Sequence, residues 1–223
     1  SVPHPRWSED GAPIHATRRD SCSSCKSHVR RDRVVDPHAF DVQGQARGRF
    51  HRDQSAAQAD VCAGYVERGR YLVTTMGCND CHSPKVFTER GPEFDSTRLL
   101  SGHRADSQLP KIVDRGALKP GNNWSLVSPE LTAWVGPWGI SYTANLTPDE
   151  DTGIGTWNLE RFRKAFQEGK FHGLDGGRTL LPPMPWFLYA NATDEDVLAI
   201  FSYLKSIPPV KNFVPSPTPP TEL

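Results

Sequence analysis

Apolar residues in this chain recur at helical spacing in three short stretches and almost nowhere else. From about Ala59, Val61, Tyr65, Leu72 and Val73 repeat at intervals that predict a helix ending just before Gly77-Cys78. Asn158 to Gln167 predicts a second amphipathic helix, with Leu159, Phe162, Ala165 and Phe166 on one face and Gly169 as its stop. A third opens at Thr193, whose Thr-Asp-Glu-Asp resembles a cap, and carries Val197, Ile200, Phe201 and Leu204 inward to about Ser206. Pro208-Pro209 end it, and residues 211–223 form a proline-rich tail. Between the first two helices, residues 83 to about 140 show many Gly and Pro and little period, so they read as a long, partly ordered excursion.

Residues 1–58 differ in kind. No leucine occurs before Leu72, and Ile14 is the one isoleucine of that stretch. Arginines come in pairs, Arg18-Arg19 and Arg30-Arg31, and five of the eight histidines lie here. Such a segment buries too little apolar surface to offset its chain entropy, so it is expected as an extended or partly disordered arm. An arm that orders on a partner subunit, or wraps the rest of the chain, is the functional alternative. The predicted organisation is therefore an arm over 1–58, a folded domain over 59–210 and the tail.

Composition changes this picture little. The net charge of the 223 residues is zero, so no strong field marks a nucleic acid or a membrane surface as partner. No apolar run approaches the roughly 20 residues that span a bilayer. No signal peptide is visible, and the start at Ser1 is consistent with a processed form.

Chemistry enters with Cys78-Asn79-Asp80-Cys81-His82. Two thiols separated by two residues can add to the two vinyl groups of one porphyrin, and the following histidine is then held under the iron. Zinc would need a second ligand pair, which no downstream CxxC supplies. A thioredoxin-like pair would need alternating strand and helix around it. Met184 is one of two methionines and lies in Leu181-Pro182-Pro183-Met184-Pro185-Trp186, a stiff segment suited to presenting a thioether in one direction. A His82/Met184 pair gives a six-coordinate iron with a raised potential, suited to electron transfer. A core gap-filler is the ordinary alternative for a methionine. Met76 is two residues from Cys78 and is poorly placed to reach the other face. Covalent haem attachment takes place outside the cytoplasm, so the motif implies a periplasmic or otherwise extracytoplasmic protein.

Cys22, Cys25 and Cys62 remain. Cys22-Ser23-Ser24-Cys25-Lys26 repeats the spacing with Lys in place of His. A second haem, a disulfide or mixed pairing, and free or metal-bound thiols all stay open.

Further segments carry a resemblance. They are Met76-Gly77-Cys78-Asn79-Asp80-Cys81-His82, Leu100-Ser101-Gly102-His103, Trp134-Val135-Gly136-Pro137-Trp138-Gly139, Thr143-Ala144-Asn145-Leu146-Thr147-Pro148-Asp149, Pro182-Pro183-Met184-Pro185-Trp186 and Ala199-Ile200-Phe201-Ser202-Tyr203-Leu204. With these in this order, residues 63–215 resemble bacterial monohaem class I c-type cytochromes, related to the haem domains of alcohol and gluconate dehydrogenase cytochrome c subunits. The resemblance implies a mainly α, class I cytochrome c fold with long loop insertions, in which the first and last helices cross at Gly69 and Tyr203. It implies one covalent haem c and an electron carrier, not an enzyme, working alone or as a subunit of a larger redox complex. A dehydrogenase, an oxidase or another cytochrome would be the partner, with docking through residues 1–58 as one route.

By the same resemblance Asn145 lies close to the haem, where its amide could bond a propionate; an Asx turn is the other reading. Arg178 is a candidate to neutralise a propionate, against a solvated arginine. Trp138, Tyr142 and Trp186 are candidates for the pocket wall, against ordinary core packing. A haem enzyme or sensor with a labile methionine, and a dihaem protein using Cys22 and Cys25, are the competing functions.

Overall fold

The structure, a computed structural model, describes residues 47–113, 115–119, 121 and 124–223. Helix α1 (Arg47–Thr75) is followed by a single-turn helix α2 (Cys78–His82), a hairpin β1 (Lys85–Thr88) and β2 (Gly91–Phe94), and a three-stranded sheet of β3 (Leu126–Val127), β4 (Ala133–Gly136) and β5 (Gly139–Tyr142). Helices α3 (Leu159–Glu168), α4 (Trp186–Tyr189) and α5 (Asp194–Ser206) follow, with short 3-10 turns at Arg115–Leu118, Phe171–Gly173 and Pro220–Glu222. Both sheets are antiparallel. The described residues are thus helical with small antiparallel sheets, and the excursion expected over 83 to about 140 contains β1 to β4 and the start of β5. Runs of two to four residues are too short to show a period of two, which is why the pattern gave no strand.

Helix α1 begins at Arg47, inside the stretch expected to be an extended or partly disordered arm. Arg47, Gln54, Ala56, Ala57 and Gln58 favour helix intrinsically, a preference that an apolar pattern does not register. The CxxCK segment and the rest of the arm through Gln45 and Ala46 lie outside the described residues.

The inward face of α1 also differs from the expected one. Cys62, Gly69 and Val73 are buried, whereas Val61 is 46% exposed. The reason is the crossing with α5. A Cβ on Gly69 would lie 2.0 Å from the Ala199 carbonyl oxygen and 2.7 Å from Tyr203 Cβ, so the two backbones approach as closely as a missing side chain permits. The crossing pair read from the sequence is present, with Ala199 as a further partner.

The Gly169 stop of α3 and the Thr193 cap of α5 match their sequence signals, while Asn158 is the N-cap of α3 and not its first helical residue. Asn158 accepts from the Arg161 amide at 2.8 Å and Gly169 closes α3 with φ 65. Thr193 accepts from the Asp196 amide at 3.2 Å at the start of α5. Val197, Ile200, Phe201 and Leu204 are all buried, joined by Val73, Leu100, Ile154 and Phe162 in one core. Each such side chain contributes about 1.5–3 kcal/mol of burial. The proline-rich tail is tied down: Ile140 and Thr218 exchange both backbone bonds, at 2.8 and 3.0 Å, and Asn212 donates to the Ser101 and His103 carbonyls at 2.8 Å each. Among the described residues no helix is long and apolar enough to cross a membrane.

Candidate functional site

Where the core opens, α1, α2, α3, α5, the end of β5 and the segment 180–185 enclose a cavity of about 430 Å³. Its lining is mostly hydrocarbon, including Val73, Leu146, Ile154, Phe162, Ile200 and Leu204. Cys78, Cys81, His82 and Met184 all line it, with Met76, Tyr142 and Arg178.

Local chemistry sets the thiol side. Gly77, at φ 73, turns the chain from α1 into α2, a conformation that favours glycine. One helical turn then places both thiols on the cavity. Cys78 and Cys81 are free. Burial pushes the Cys78 thiol up to about 11. Burial also raises Cys81, opposed by the nearby Lys85 ammonium. His82 is 8% exposed, and its Nδ1 lies 2.7 Å from the Ala144 carbonyl oxygen. A carbonyl only accepts, so Nδ1 carries the proton and Nε2 keeps its lone pair for a metal. Burial lowers the His82 pKa, with the Ala144 bond opposing, which favours the neutral ligand form.

Lys85 braces this side from behind. Its ammonium donates to the carbonyls of Asp80 at 2.5 Å, Glu130 at 2.7 Å and Ser83 at 3.3 Å. The Ser83 hydroxyl donates to Asn79 Oδ1 at 2.9 Å and accepts from the Leu100 amide at 2.9 Å, and the Gly102 amide donates to the His82 carbonyl at 2.8 Å.

The methionine side is built differently. Pro182, Pro183 and Pro185 carry no amide hydrogen, which leaves few donors to fix the segment. Met184 packs against the core cluster.

The remaining candidates separate. Tyr142 and Arg178 line the cavity; the Arg178 guanidinium lies 3.6 Å from the Phe171 ring centroid and donates to the Thr179 carbonyl at 2.9 Å. Trp138, Trp186 and Asn145 do not line it. Trp138 Nε1 donates to Ser141 at 3.2 Å, behind the wall, and the Trp186 ring covers Gly169. Asn145, 4% exposed, donates to Thr152 and the Val210 carbonyl and accepts from the Thr147 amide and hydroxyl, so its whole amide is engaged within the fold. From the same segment it is the Ala144 carbonyl that reaches His82, a backbone group that no side-chain pattern reveals.

Two further residues escaped the sequence reading. Trp134 and His172 both line the cavity. His172 adopts φ 56 and stacks on Phe171 at 3.9 Å, while its carbonyl accepts from Arg161 at 2.8 Å. Of the cysteines left over, Cys62 is disulfide-bonded, and Cys22 and Cys25 lie outside the described residues.

Two free thiols, a tautomer-fixed imidazole and a thioether on one apolar cavity form a donor set suited to a covalently held iron porphyrin. No protein-family model matches the chain. It is 40% identical over 138 residues to the gluconate 2-dehydrogenase cytochrome c subunit of Pantoea cypripedii, which is 62% of this chain and 22% of that protein. It is 38% identical over 160 residues to the fructose dehydrogenase cytochrome subunit of Gluconobacter japonicus, 71% of this chain and 24% of that one. The chain is related to the cytochrome c subunits of dehydrogenases. A 67-residue stretch, 30% of this chain and 13% of the relative, is 37% identical to the cytochrome c subunit of the quinone alcohol dehydrogenase of Gluconobacter oxydans. The chain thus spans less than a quarter of the length of these relatives. These three relatives are cytochrome subunits by name.

Proposed function

We propose that the chain holds one haem c through thioethers from Cys78 and Cys81, with His82 and Met184 as the residues that would hold its iron, and passes electrons for a dehydrogenase. The observation that carries this reading is the convergence of both free thiols, the Nδ1-protonated His82 and Met184 on one cavity. The crossing of α1 with α5 at Gly69, α2 between them and the cavity fits a class I cytochrome c fold with loop insertions.

Bound there, a haem supplies a one-electron couple. The chain's own residues do the rest. The cavity wall excludes water, which favours the less charged state of the centre. Ala144 holds the imidazole in one tautomer and orientation. Arg178 is the cation available to an ionised propionate. Met76 also lines the cavity, but it leaves α1 two residues before Cys78, so Met184 would be the methionine that holds the iron.

A dehydrogenase subunit is the partner that the relatives' names suggest. Covalent attachment and the disulfide at Cys62 both suit an extracytoplasmic compartment. Intact mass under denaturing conditions tests the core of the reading: one covalent porphyrin is expected on the wild type and none on a Cys78→Ala, Cys81→Ala double variant. A second reading, a haem sensor with a labile methionine, draws on how few hydrogen bonds hold residues 181–184. Strong cyanide or CO binding by the wild type would favour it.

A further inference from the structure

The segment that carries Met184 is short of donors, so its position must be fixed from outside. Three of residues 181–185 are prolines. Among the described residues, one hydrogen bond ties residues 181–184 to another element: the Ser141 hydroxyl donates to the Pro182 carbonyl at 2.5 Å. Ser141 is 7% exposed, in the middle of β5. Its single proton goes to the Pro182 carbonyl, 2.5 Å away, in preference to the Trp134 carbonyl at 3.5 Å, and its lone pair takes the Trp138 indole N–H at 3.2 Å. Indole, hydroxyl and carbonyl therefore form a chain in which each bond polarises the next.

The hairpin is shaped to present this chain. A Cβ on Gly136 would lie 2.4 Å from the Trp138 ring, so the indole folds back over β4 only because residue 136 is glycine. On the other side, Ile140 exchanges two backbone bonds with Thr218 of the tail, which fixes the strand on which Ser141 stands. The hydroxyl thus couples a braced strand to a segment that has almost no bonds of its own.

We infer that Ser141, supported by Trp138, is the positioning residue that holds Met184 at the haem iron. The inference rests on the proposed Met184 ligation. Losing a buried hydrogen bond of this kind costs about 1–1.5 kcal/mol, or about tenfold in the balance between methionine-bound and methionine-free forms.

The test uses the holoprotein. The ferric absorption band near about 695 nm reports the methionine–iron bond, and imidazole titration reports how readily the methionine is displaced. Ser141→Ala is expected to bind imidazole about tenfold more tightly and to lose the band at lower pH, with far-UV circular dichroism unchanged. Ser141→Thr, which keeps the hydroxyl, is expected to restore both readouts. Trp138→Phe removes the indole N–H and is expected to shift them in the same direction by less; it also serves if Ser141→Ala does not fold. Wild-type imidazole affinity and band stability in both Ser141→Ala and Trp138→Phe would overturn the inference. Met184→Ala separates the two claims. If it abolishes the band while the Ser141 and Trp138 variants behave as wild type, the ligand stands and the clamp falls. If it leaves band and imidazole affinity unchanged, both fall.

Discussion

The thiol side and the methionine side line one cavity but are held by opposite means. Around α2, bonds from Ser83, Lys85, Leu100, Gly102 and His82 converge within one turn of helix. Residues 181–184 have Ser141 and their packing. The contrast matches what each side would have to withstand under the proposed ligation. Thioethers form once and then stay, so a dense framework suits the surroundings of Cys78 and Cys81. A coordinate bond to methionine is weaker and reversible, and a lightly held segment lets its strength be set by one or two hydrogen bonds.

The strongest way to break the comparison is at the floor that both sides share. Gly69→Val should force α1 from α5 against backbone atoms, costing about 3 kcal/mol or more. That corresponds to a drop of about 10 °C in thermal midpoint for a chain of this size. A midpoint within a few degrees of wild type would show that the crossing adapts and that neither side depends on it.

On the methionine side alone, Met184→Ala is expected to leave the fold and covalent haem in place while opening the iron to cyanide and CO. Met184→His should keep six ligands and lower the reduction potential, because imidazole favours ferric iron more than thioether does. Potentiometry checks the second variant and ligand titration the first.

Acid should separate the two sides more gently. His103 is 2% exposed, bonds Thr132 Oγ1 at 2.8 Å and packs on Tyr142 at 4.9 Å, behind the β5 wall. Burial lowers its pKa below the usual histidine value. The unfolded chain then binds the proton more readily, so the stability linked to neutral His103 is complete above about pH 6.5 and is lost as pH falls through the folded value. Thermal midpoints at pH 5 and pH 7 should differ less in His103→Gln than in wild type. The smallest expected effect is Thr193→Ala, about 1 kcal/mol from a lost cap on α5, read by denaturant titration.

The thiol side of the cavity was legible because Cys78, Cys81 and His82 are contiguous and a single helical turn brings them onto one wall. Met184 was legible for a related reason, since prolines on both sides leave a distinct local signature. The cap at Thr193, the stop at Gly169 and the glycine at the α1–α5 crossing were legible in the same way. What stayed hidden is what joins distant segments. Ser141 is an inconspicuous residue in a four-residue strand, and Ala144 contributes a backbone carbonyl that any residue would have. Asn145 illustrates the limit, because turn chemistry and ligand contact predict the same residue type and only packing distinguishes them. The start of α1 was missed because its first turns are polar, where helical propensity acts without an apolar stripe.

Lys85 has a practical consequence. Its ammonium is 8% exposed at the residue level and saturated by three carbonyls, so amine-acylating reagents should modify it last among the described lysines, well after Lys211, whose side chain is 60% exposed. Residue-resolved mass spectrometry after timed acylation would show this, and early labelling of Lys85 would disprove it. In a footprint of the chain with and without a dehydrogenase, Lys85 then serves as an internal blank: protection gained at other lysines maps the contact face, and label gained at Lys85 warns that the haem-side framework has come apart.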